Sequence, residues 1–77
     1  MAEPYHIRMD VLRINGKEKS FPEGIPPTLA ELLDQLGISQ ATVVAQLDGE
    51  IVAREKLAQT ALSSGQSLEL VRIIDGG

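Results

Sequence analysis

Seventy-seven residues with 43% hydrophobic content and a net charge of −4 bound the chain to one small acidic domain. With no cysteine, disulfides, thiolate metal sites and side-chain persulfide or thioester chemistry are excluded, and the single histidine, His6, cannot hold zinc alone. Seven basic residues against eleven acidic, with Tyr5 and Phe21 the only aromatics, leave no basic stripe and no stacking platform for nucleic acid.

The core must therefore be aliphatic, built from Leu, Ile and Val. No apolar run approaches the roughly 18 residues of a membrane span, and the N-terminus lacks the apolar core of a signal peptide. A cytoplasmic protein without membrane association is the expectation. His6 falls in an N-terminal arm with no orienting partner in view, so a hydrolytic triad has no support and the chain reads as a non-enzyme. An acidic surface suits docking on a basic partner.

In chain order, Met1 to His6 is a short arm in which Pro4 opposes regular structure. From Ile7 the pattern becomes strand-like: Ile7, Met9 and Val11 alternate on one face, then Leu12 and Ile14 take the other. That switch means a bulge, a strand covered on both faces, or a strand that begins near Asp10. Met9 is also a candidate start residue.

Asn15-Gly16 is a type I′ hairpin signal, since both residues tolerate positive φ. The return strand is Lys17 to Phe21, with Phe21 turned inward and Lys17-Glu18-Lys19 a solvated edge. Pro22 to Pro27 is a loop. Thr28 followed by Glu31 is a capping box. Leu29, Leu32, Leu33 and Leu36 then make one apolar helix face, which Gly37 ends in the left-handed conformation while Ile38 folds back over the last turn.

Ser39 to Thr42 is a connector, Val43 to Leu47 a strand, Asp48-Gly49 a second tight turn and Glu50 to Val52 a short partner strand. Ala53 to Ala61 is ambiguous, a loop with room for a short 3₁₀ segment in which Leu57, Ala61 and Leu62 are the anchors. Ser63 to Gln66 is a turn into the last strand. There Leu68 and Leu70 face the core, with Val71 and Ile73 on the opposite face. One helix covers only one face of such a sheet, giving an α+β domain whose first and last strands can pair in parallel.

After Ile74 the chain runs directly into Asp75-Gly76-Gly77, with no linker between. A packed domain rarely ends on adjacent glycines, because nothing there is buried and backbone entropy is large. Three extended residues reach about 10 Å at roughly 3.3–3.6 Å each, enough to carry a carboxylate into a narrow active site. The expected organisation is an arm over 1–9, a folded domain over 10–74 and a flexible tail over 75–77.

The ordered set Ile14-Asn15-Gly16, Thr28 to Leu33 with Leu36-Gly37-Ile38, Ile51-Val52-Ala53-Arg54, Leu62 and Gly65 with Glu69-Leu70-Val71, and Gly76-Gly77 resembles the ThiS family. These are sulfur carrier proteins of thiamin biosynthesis, within the ThiS/MoaD-like ubiquitin-like β-grasp group. The resemblance covers about Asp10 to Gly77.

It implies a mixed sheet of four to five strands with one main helix on one face. It implies also that the Gly77 carboxylate attacks the α-phosphate of ATP on a ubiquitin-activating-type adenylyltransferase. Sulfur drawn from a cysteine desulfurase persulfide then replaces AMP, and the thiocarboxylate passes it to thiazole synthase. No cofactor is bound by the carrier itself, since ATP belongs to the partner. Gly77 bears the sulfur, while Gly76 and Asp75 thread the tail. Val71 and Ile73, with Ile74 and Arg72 beside them, are the candidates for partner docking on the open sheet face.

Departures from the family pattern are Asp48 for Asn, Ala53 for Pro, Leu57 near a Trp position and Gln66 for Asp, all expected in turns or surface segments. They leave open a sulfur carrier of another pathway, such as the small subunit of molybdopterin synthase. A ubiquitin-like modifier and a β-grasp binding module are the alternatives from other functional classes.

Overall fold

The computed structural model describes residues 10–73. Two tight turns set its frame. Asn15 and Gly16, at φ 52° and 83°, join β1 (Asp10–Ile14) to β2 (Lys17–Phe21). Asp48 and Gly49, at φ 50° and 89°, join β3 (Val43–Leu47) to β4 (Glu50–Val52). Positive φ at both central residues matches the twist of the flanking strands, so each turn fixes an antiparallel register. Asp10 lies opposite Phe21, and Leu47 opposite Glu50. The candidate strand residues Ile7 and Met9 lie outside the described residues.

The last strand, β5 (Ser67–Arg72), enters between the two hairpins and gives the order β2-β1-β5-β3-β4. It runs parallel to β1 and antiparallel to β3. A parallel neighbour needs a long crossover, which the whole middle of the chain supplies.

The crossover carries α1 (Leu29–Leu36). Thr28 is extended, and its Oγ1 accepts the Glu31 amide at 3.2 Å, so half of the capping box forms while the Glu31 side chain stays exposed. At the other end Gly37 stands at φ 75°. Its amide donates to the Asp34 carbonyl at 3.1 Å, and that of Ile38 to the Leu33 carbonyl at 2.9 Å, which is the Schellman pattern. Leu29, Leu32 and Leu33 are fully buried against Leu12, Ala45 and Leu68 of the sheet, and Leu36 and Ile38 pack at the margin of this core.

Residues between β4 and β5 resolve as a 3₁₀ segment, Arg54–Gln59. Its Leu57, one of the expected anchors, is only 2% exposed and is a core position that closes the sheet beneath the helix. The segment ties back to the helix start, where the Leu29 amide donates to the Thr60 carbonyl at 2.9 Å and Thr28 bridges Ala61. The connector after α1 holds a second 3₁₀ turn, Gln40–Thr42. Sequence pattern gave no sign of it because a turn this short has no hydrophobic period. One face of the five-stranded sheet is thus covered by α1 and, among the described residues, the other is open, the arrangement that the resemblance implies.

Candidate functional site

Alternation along β5 decides which side chains meet the helix and which meet solvent. Leu68 is buried and Leu70 half-buried on the helix side, whereas Val71 and Ile73 are 59% and 51% exposed on the open side. The neighbouring strand extends this surface. In β3, Val43 and Ala45 turn inward, leaving Val44 and Gln46 on the open face. Val44 lies directly opposite Val71. Gln46 separates Glu69 from Ile51, which is 67% exposed. An apolar patch of Val44, Val71 and Ile73 therefore sits at the end of the sheet where the chain leaves it, with a polar pair between it and Ile51. Val44 and Ile51 were not singled out from sequence, although strand alternation in Val43 to Leu47 carries the signal.

Arg72 behaves differently from its neighbours. It shares the helix-side face with Leu68 and Leu70 and lines a groove with Leu36, Ile38 and Val43, so it is not beside Val71 and Ile73 on the open face. Ile74, Asp75, Gly76 and Gly77 lie outside the described residues.

The exit point of the chain is fixed by a chain of bonds through the second 3₁₀ turn. The Ile73 amide donates to the Thr42 carbonyl at 2.8 Å. Thr42 is itself held by two bonds to the Ser39 carbonyl, from its amide and its hydroxyl, both at 3.1 Å. Ser39 Oγ accepts the Ala41 amide at 3.2 Å, and the Arg54 guanidinium donates to the Ala41 carbonyl at 3.4 Å. Arg54, matched to the ThiS pattern in the sequence, thus braces the turn that holds the end of β5.

Among the described residues no group of three or more His, Cys, Asp or Glu side chains could hold a metal ion, and no helix is long and apolar enough to cross a membrane. What the arrangement offers is an open apolar patch beside a strand end that is clamped in place.

Comparison with known proteins places these features. The model of the ThiS family matches residues 11–77. A thiazole synthase from Paramagnetospirillum magneticum is 38% identical over 66 residues, covering 86% of this chain and 20% of that protein, so the chain spans about a fifth of the relative. The crystal structure of the thiamine biosynthesis protein ThiS from Geobacter metallireducens superposes with a TM-score of 0.74 at 31% identity, covering 87% of this chain and 99% of that one. A solution structure of a thiamine biosynthesis protein from the same organism gives 0.70 at 32% identity, covering 87% of each chain.

Proposed function

The chain belongs to the ThiS family, and from that premise we propose that it is the sulfur carrier of thiamin biosynthesis, a protein cosubstrate whose Gly77 carboxylate is the reacting group. The carboxylate attacks the α-phosphate of ATP on a ubiquitin-activating-type adenylyltransferase, and pyrophosphate leaves. AMP is a far better leaving group than hydroxide, so a persulfide whose outer sulfur came from a cysteine desulfurase can displace it to give an acyl disulfide on Gly77. A thiol reductant then cleaves the S–S bond, releasing the thiocarboxylate and leaving the other sulfur in a disulfide. The resulting thiocarboxylate is a soft nucleophile that thiazole synthase consumes. The protein binds no cofactor of its own, and ATP is held by the partner.

The observation that carries this reading is the family match running through Gly77 on a strand whose end is clamped at Ile73. Four residues follow Ile73. Fully extended they reach about 13 Å, enough for the last two glycines to enter a channel too narrow for side chains. The patch of Val44, Val71 and Ile73 is the docking surface for the body of the protein. The thiazole synthase that is 38% identical over 66 residues supports thiazole synthase as the acceptor, ahead of molybdopterin synthesis.

Deleting Gly76 and Gly77 tests the reading. ATP–pyrophosphate exchange by the adenylating enzyme is expected to fall to its carrier-free level with an unchanged melting temperature. Undiminished exchange would move the function to the sheet surface alone.

A further inference from the structure

β1 stops at Ile14 while β5 runs on to Arg72, so the side of β5 that β1 covers is abandoned partway. Asn15 fills the first vacated place. Its main-chain amide donates to the Leu68 carbonyl at 2.8 Å. Its side-chain carbonyl accepts the Leu70 amide at 2.7 Å, and its Nδ2 donates to the Leu70 carbonyl at 3.3 Å. A side-chain amide thus does for Leu70 what the backbone of a neighbouring strand would do.

The next residue whose amide and carbonyl point this way is Arg72. Ile73 bonds in the other direction, to Thr42, and Arg72 stands opposite Val43 in a non-hydrogen-bonded pair. Among the described residues nothing takes the Arg72 amide or carbonyl. Beside these two groups lies a groove of about 520 Å³, lined by Ile14, Leu36, Ile38, Leu70 and the Arg72 side chain. The outer edges of the sheet are blunted, β2 by exposed Lys17, Glu18 and Lys19, and β4 by being only three residues long. The gap next to Arg72 has no such protection among the described residues.

We propose that this gap receives an extended segment of the adenylating enzyme, which adds to β5 as a short strand. Its carbonyl accepts the Arg72 amide, its amide donates to the Arg72 carbonyl, an aliphatic side chain enters the groove between Leu36 and Ile38, and a carboxylate meets the Arg72 guanidinium. Unpaired main-chain groups supply affinity and the adjoining pocket supplies selection, the division of labour in strand addition. Arg72, the one charged residue among those that line the groove, sets the acidic character of the segment. The grip falls one residue before the Ile73–Thr42 clamp, so the partner holds the strand at the place where the tail departs. This inference rests on the adenylation reading above.

Amide hydrogen exchange of the ¹⁵N-labelled full chain, free and with the adenylating enzyme and ATP, tests it, with intact mass of the same sample recording the AMP adduct. The Arg72 amide is expected to exchange rapidly in the free protein and to slow about tenfold or more in the complex, while the Leu36 and Ile38 methyl resonances shift. Adduct formation with an unaltered Arg72 amide would overturn the proposal and leave the carrier function standing. Protection already present in the free protein would overturn it as well, because the chain itself would then fill the gap. No adduct with an enzyme of proven activity would overturn both readings. Arg72→Pro, which removes the amide, should bind the enzyme about fivefold more weakly than Arg72→Ala, which keeps it. Equal affinities would contradict the strand-like bond.

Discussion

Two of the residues that depart from the ThiS pattern touch each other. Asp48 Oδ2 accepts a bond from Gln66 Nε2 at 3.3 Å, while its Oδ1 takes the Ser67 amide at 2.9 Å. Gln66 Oε1 in turn accepts the Ser63 amide at 2.7 Å. With Asn at the first position and Asp at the second, the amide and the carboxylate exchange places and each of these contacts keeps a donor and an acceptor. In this chain the two side chains together tie the β3–β4 turn to the start of β5. Gln66→Asp alone sets two carboxylates against each other and should destabilise the domain by about 1 kcal/mol. Adding Asp48→Asn should recover most of that loss. Urea denaturation of both single variants and the double variant measures the coupling; additive effects would mean that the contact contributes nothing.

At the scale of elements, what was legible in the sequence is what local chemistry dictates. Asn15-Gly16, Asp48-Gly49, Thr28 and Gly37 each constrain the backbone within a few residues, and all of them hold in the structure. The alternation in β5 also placed Val71 and Ile73 correctly on the open face. Two features were not legible. The burial of Leu57 depends on how the segment Arg54–Gln59 lies under a distant helix, and six residues without a period cannot announce that. The bracing role of Thr42 likewise requires β5 to arrive beside it, a pairing that spans 31 residues from Thr42 to Ile73. Arg72 fell to the helix side through the same alternation that exposed Val71, so a list of adjacent docking residues on one strand splits between two faces.

The open-face patch makes a separate prediction for this strand. Val71→Glu removes apolar surface from a side chain already 59% exposed, so stability should change by no more than about 0.5 kcal/mol. The KM of the adenylating enzyme for the carrier should nevertheless rise about tenfold or more, with little change in kcat, because the lost contact acts in docking and not in chemistry. An unaltered KM would remove Val71 from the interface.

For the molecule as a whole, the proposed division of labour is a folded body that docks and a terminal carboxylate that reacts. A chain without cysteine has no thiol side chain to carry sulfur, which agrees with the proposed use of the Gly77 carboxylate. The net charge of −4 favours encounter with a basic surface, while the apolar patch and the gap at Arg72 give the docked state its fit. The patch and the gap both lie toward the end of β5. The proposed role of Gly77 as the bearer of sulfur is tested by intact mass. The full chain, incubated with the adenylating enzyme, ATP, a persulfide-loaded desulfurase and a thiol reductant, should gain the mass difference of one oxygen replaced by sulfur. That gain should be confined to the C-terminal tryptic fragment, the one after Arg72. An unchanged mass with an enzyme of proven activity would contradict the account.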